Sequence, residues 1–211
     1  HPDLQSNIIA GYDFYDGDND PSSNSSQEDH ETEVAGCAAA VTNNALGVAG
    51  ACWGCRIMPL RVGILTYSTV NVSQAIDFAV ANGAKVVSMS LSSGDPTKFG
   101  PDTAVETSVN NGVAAGVPMI ASAGNGASST IRYPSGLTNV IAVSSTDSLD
   151  HRSTFSQFGS WVDVAAPGSS VYSTKLVSLG SYGTVSGTSF STPYVAGLAG
   201  LLLGKDTTLT L

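Results

Sequence analysis

The segment Gly187-Thr188-Ser189-Phe190-Ser191-Thr192-Pro193, followed by the apolar run 194–203, constrains this chain more than any other stretch. A turn of small residues delivers a serine to the start of a helix. Pro193 suits a first helical turn, where its missing N–H costs no hydrogen bond. Val195, Ala196, Leu198, Ala199, Leu201 and Leu202 leave the helix no polar face, so it is expected to be buried. Ser189 then sits at the positive end of a core helix, where developing negative charge is stabilised. Taken alone, the pattern is equally well a Ser/Thr-rich N-cap.

The rest of the chain alternates between strand and helix patterns. Residues 57–62 form a short apolar strand, and 73–80 carry apolar residues at helical spacing up to Gly83. A strand at 85–89, a helix at 102–111 and strands at 117–121 and 140–143 follow. That order implies a parallel sheet with right-handed crossovers, and ligands of such sheets sit at the carboxyl ends of strands. With 211 residues, 42% of them hydrophobic, and 23 glycines, one loop-rich α/β domain spanning 1–211 is expected.

Several blocks, in order, carry a resemblance. Gly187 to Pro193 with Val195-Ala196-Gly197 is similar to the nucleophile motif of the subtilisin-like serine peptidases. His1-Pro2-Asp3-Leu4, the loop 42–50, Ser88-Met89-Ser90-Leu91, Ala121-Ser122-Ala123-Gly124-Asn125 and Val164-Ala165-Ala166-Pro167-Gly168 resemble further blocks of that family. The resemblance implies a three-layer α/β/α fold with a mainly parallel sheet and a peptide or ester substrate. It makes Ser189 the nucleophile and Asn125 the oxyanion donor. It gives Ser90, Leu91, Ser92 and Gly124 to substrate binding, with Ser92 and Ser93 standing where glycine is common. The family is secreted, so an extracellular location is expected. The family's catalytic Asp lies on a central strand ahead of His1, next to the strands at 57–62 and 85–91. The triad is therefore expected to lack its Asp and the sheet a strand. Either the two flanking strands pair directly, or a homo-oligomer or second chain covers their edges.

The block His30-Glu31-Thr32-Glu33-Val34-Ala35-Gly36 resembles a family motif with two histidines, the second of which is read as the general base. Glu33 stands there, and His30 keeps the first position. A carboxylate near pKa ~4.3 is a weaker base than imidazole near ~6.5 unless burial raises it. The sedolisins use Glu at this position, yet they carry Asp where this chain has Cys37 and Asn125. A broken triad with impaired peptidase activity is therefore expected. The alternatives are an esterase for activated or short-chain esters, with Glu33 or His30 as base, and a non-catalytic peptide-binding module.

Charge adds a metal expectation. No Lys or Arg precedes Arg56, while Asp3, Asp13, Asp16, Asp18, Asp20, Glu28, Asp29, Glu31 and Glu33 crowd the same quarter. Uncompensated carboxylates repel, so a cation is expected. Asp13, Asp16, Asp18 and Asp20, with Gly17, have the oxygen-rich spacing of a calcium loop and resemble the second calcium site of the thermitase-like branch. The resemblance builds another calcium site from Asp3, Asn44 and the carbonyls of Thr42, Leu46 and Val48. The net charge of −9 argues against nucleic acid and anionic membranes, and no apolar run is long enough to span a bilayer. No organic cofactor is expected. The sequence opens without Met or a signal peptide, as expected of a processed or shortened chain. Cys52-Trp53-Gly54-Cys55 lacks the second pair that zinc requires and reads as a local disulfide or two thiols, and Cys37 as a small buried residue. Tyr133-Pro134 resembles the family's cis-proline turn, though a trans turn fits as well.

Overall fold

The structure, a computed structural model, describes residues 1–22, 29–64, 66–92 and 102–209; Glu28 and Ser93 lie outside them. Four parallel strands form the main sheet in the order β3 (Val87–Met89), β4 (Met119–Ser122), β5 (Ile141–Thr146) and β6 (Val164–Pro167). A short parallel pair, β1 (Tyr12–Asp13) and β2 (Leu60–Arg61), stands apart. An antiparallel ribbon, β7 (Val171–Thr174) and β8 (Tyr182–Val185), leads into the last helix.

Alternation along the strands sorts the core into two faces. Met119 and Ala121 of β4 pack with Val72 and Ile76 of α2 (Thr69–Ala81) and Val105 and Val109 of α3 (Thr103–Ala114). Ile120 of β4 turns the other way, toward Val143, Ala166 and Ala196, the last on α4 (Thr188–Lys205). All four residues of β4 are buried, as a strand covered on both faces requires. The layers are thus helix, sheet and helix, as expected.

Local chemistry sets the helix ends. Ser68 Oγ accepts from the Asn71 N–H at 3.1 Å to start α2, and Gly83 follows its end with φ +82°. Asp102 Oδ1 accepts from the Ala104 and Val105 N–H groups to start α3. The alternation calls these elements correctly and misplaces their ends by a few residues.

Two expectations about α4 are corrected. The helix begins at Thr188, so Pro193 lies in its second turn rather than its first. Its burial ends after Gly197: Leu198, Leu201 and Leu202 are 54%, 46% and 49% exposed. The first half crosses the sheet, and the second runs past it. The segments at 57–62 and 85–91 do not pair directly: among the described residues β3 bonds only β4, and β2 only β1. Cys52 and Cys55 form a disulfide, Cys37 is a buried free thiol, and the Tyr133–Pro134 bond is cis.

Candidate active site

The carboxyl ends of β3 and β4 meet the start of α4. Pro193 has no N–H to give the carbonyl of residue i−4, which is Ser189. Ser90, just past β3, supplies the bond instead: its Oγ donates to the Ser189 carbonyl at 2.7 Å. The Ser189 Oγ makes only a long contact of 3.5 Å with the Ser90 carbonyl, so the hydroxyl is lightly held and half-buried.

Past β4 the chain turns at Gly124, whose φ of +106° few other residues adopt. Asn125 follows, and its Oδ1 accepts two bonds at 2.9 Å, from the N–H and the Oγ1 of Thr188. Thr188 Oγ1 in turn accepts from the Gly124 N–H at 3.1 Å. With its oxygen committed, the Asn125 amide has its N–H₂ left to donate among the described residues, and this Nδ2 borders Gly187. Ser92 Oγ faces Gly124, and Leu91 is tied by its carbonyl to Ser122 Oγ at 3.2 Å. Ser90, Leu91, Ser92 and Gly124 thus gather around Ser189 and Asn125.

His30 is the first residue of α1 (His30–Ala39), and its ring lies 5.7 Å from that of Phe190, the residue after Ser189. Burial lowers its pKa below 6.5, so the imidazole is neutral at neutral pH. Glu33 is buried, and its Oε1 lies 2.7 Å from Lys175 Nζ. Burial raises its pKa; Lys175 pulls it down, and Asp29 pushes it up again. Of the two candidate bases, His30 packs against Phe190, the residue after Ser189, while Glu33 is engaged in an ion pair with Lys175. Asp29 and Lys175 were not found by sequence reasoning, because Lys175 lies 142 residues from Glu33 and only the fold joins them.

The acidic loop is compensated in part by an arginine of the same chain. Arg61 Nη1 lies 2.5 Å from Asp13 Oδ2 and 2.7 Å from Asp16 Oδ2, and Asp13 and Arg61 are both buried. Asp18 and Asp20 accept from the backbone N–H groups of Asp20 and Ser22. Among the described residues no three His, Cys, Asp or Glu side chains converge as a metal site. Arg61, on β2 beside β1, thus supplies a cation to two of the four carboxylates of this loop. The Asp3 region differs. Its carboxylate is fully buried and meets only neutral donors: Asn44 Nδ2 at 2.6 Å, the Val48 N–H at 3.0 Å and Tyr182 OH at 3.4 Å. Asn44 Oδ1 accepts from the Leu46 N–H at 3.0 Å, which folds the loop holding Thr42, Leu46 and Val48 around Asp3. The oxygens a hard cation such as calcium takes are here the carboxylate of Asp3 and the loop carbonyls, and the carboxylate is at present hydrogen-bonded by N–H and O–H groups.

A parallel α/β sheet that presents a helix-borne serine and an amide donor at its carboxyl edge, with an imidazole packed on the residue after the serine, is the scaffold of a serine hydrolase. The sequence matches the family model described as the subtilase family over residues 1–210, and the chain belongs to that family. It is 44% identical to thermitase of Thermoactinomyces vulgaris over 97% of this chain and 71% of that protein. Identity to the thermophilic serine proteinase of Bacillus sp. (strain AK1) is 43% over 97% of this chain, which spans only 49% of that relative. The solved structure of a cold adapted subtilisin-like serine proteinase matches with a TM-score of 0.85 at 33% identity, covering 100% of this chain and 72% of that one.

Proposed function

We propose that this chain is the catalytic core of a serine hydrolase, with Ser189 as nucleophile, His30 as general base and Asn125 as oxyanion donor. The observation that carries the reading is the pair of Thr188 bonds to Asn125 Oδ1, which leaves Nδ2 to a developing oxyanion. Ser189 Oγ attacks the acyl carbon while its proton passes to the neutral His30 imidazole. The oxyanion accepts from Asn125 Nδ2 and from the Ser189 backbone N–H at the start of α4. His30 then protonates the leaving group, and water repeats the sequence to release the acid. Ester leaving groups need less protonation than amines, so esters are the more readily cleaved substrates and peptides the family's own class.

We also propose calcium at Asp3, Asn44 and the carbonyls of Thr42, Leu46 and Val48, where it would neutralise a buried carboxylate and brace the loop. An extracellular setting is supported by the Cys52–Cys55 disulfide and by a 35% identical relative described as an extracellular protease. The free edge of β3 would accept a strand from a second chain or another copy. The test of activity is hydrolysis of p-nitrophenyl butyrate and of a peptide p-nitroanilide beside Ser189→Ala. Turnover that disappears in Ser189→Ala supports the reading, and turnover that survives it overturns it.

A further inference from the structure

Four consecutive residues at the end of β7 all bond the first turn of α1. Ser173 Oγ donates to the Glu33 carbonyl at 2.7 Å, and Thr174 Oγ1 to the Thr32 carbonyl at 2.6 Å. Lys175 Nζ lies 2.7 Å from Glu33 Oε1 and 2.8 Å from Asp29 Oδ2. The Leu176 N–H donates to Asp29 Oδ1 at 2.5 Å. Asp29 holds the cap position of α1 yet makes no capping bond, because its carboxylate is turned to Lys175 and Leu176.

His30 stands inside this clamp, between Asp29 and Glu31 in the chain and one helical turn from Glu33. Asp29 and Glu33 are both buried carboxylates, and two such groups one turn apart repel strongly unless a cation joins them. Lys175 is that cation. Its side chain reaches over Gly183 of β8, where any larger residue would collide with the lysine stem.

We propose that Lys175 is a positioning residue for the base: by bridging Asp29 and Glu33 it closes the first turn of α1 and fixes both the seat and the electrostatic surroundings of His30. The inference rests on the reading of His30 as base. Phe190 of α4 packs on the imidazole, and Tyr194 shares the cluster of Phe190; Asp29, Glu31 and Glu33 lie on the segment of His30 itself, with Lys175 from the end of β7 joined to Asp29 and Glu33. The Tyr194 hydroxyl and the Cys37 thiol stay protonated there, since burial pushes both upward. Removing the lysine charge leaves two uncompensated carboxylates on the turn that carries His30, which favours imidazolium.

The experiment is an NMR titration of His30 in the wild-type chain and in Lys175→Met, with the signal identified from His30→Gln. The expected result is an upward shift of the His30 midpoint by about half a unit or more, from one uncompensated charge roughly one helical turn away. Lys175→Arg should return the midpoint to its wild-type value. If Lys175→Met does not fold, Glu33→Gln serves instead and should move the midpoint downward with the lysine in place. An unmoved midpoint in the folded variant overturns the proposal, whatever happens to the melting temperature. Labelling of Ser189 by a fluorophosphonate is followed in parallel. A wild-type chain that does not label defeats the catalytic reading, while the titration still decides the role of Lys175.

Discussion

Ser90 donates its hydroxyl to the Ser189 carbonyl at 2.7 Å, filling a bond that the helix cannot make because Pro193 stands four residues on. The end of β3 is thereby tied to the backbone of Ser189. Ser90→Ala should cost about 1 kcal/mol of stability and lower ester turnover. Adding Pro193→Ala, which returns an N–H to that carbonyl, should recover part of the stability. Thermal melts of the single and double variants check this, and no loss in Ser90→Ala would show the bond to be dispensable.

Asn125→Ala removes the amide donor and should cut kcat about 10²–10³-fold, the loss known for this type of donor in subtilisin, with KM little changed. Steady-state kinetics on the ester decide it. A change confined to KM would place Asn125 in ground-state binding instead.

The rate should fall on the acid side, with a midpoint below 6.5, because burial lowers the His30 pKa. Deprotonated imidazole is the working form, so activity is present above that midpoint and lost beneath it. Stability has the same sign: the unfolded chain takes up the His30 proton first, so this contribution is lost as pH falls from 6.5 through the folded value. A pH–rate profile of kcat/KM checks the base, and an acid limb well down in the carboxylate range would point to Glu33.

Arg61→Met should destabilise the fold by about 3–5 kcal/mol, since it leaves Asp13 buried without its cation. Burial alone would raise the Asp13 pKa, but bonds from the Asp16 N–H, Arg61 and the Tyr15 N–H together hold it below 3.8. The stabilisation is thus present above the ordinary carboxylate value and lost as pH falls through the lowered one. Denaturant unfolding at neutral and acid pH checks both, the variant being nearer to wild type in acid.

EDTA should lower the melting temperature if calcium braces the Asp3 loop, and Asp3→Asn should be insensitive to EDTA. An unchanged melting temperature in the wild-type chain would remove the metal from this account.

Local patterns in the sequence were enough for much of the fold. Alternating strand and helix signals give the parallel sheet, Asp102 marks a helix start and Gly83 an end, while the start of α2 at Thr69, capped by Ser68, lies ahead of the expected 73. The turn that carries Ser189 and the loop that carries Asn125 are legible as motifs because each is a short segment of neighbouring residues. The length and burial of α4 are not, since a run of apolar residues does not say where a neighbouring layer stops.

What the chain by itself determined is therefore the local chemistry: a serine entering a helix, an asparagine after a glycine turn, and an excess of acid before Arg56. The tertiary structure alone decided which groups share a site. It set Arg61 on Asp13 and Asp16, Lys175 on Asp29 and Glu33, and His30 against Phe190. The physical reason is range. Helix caps and turns are made within a few residues, whereas charge compensation depends on distance in space, and 142 residues of sequence separate Glu33 from the lysine that neutralises it.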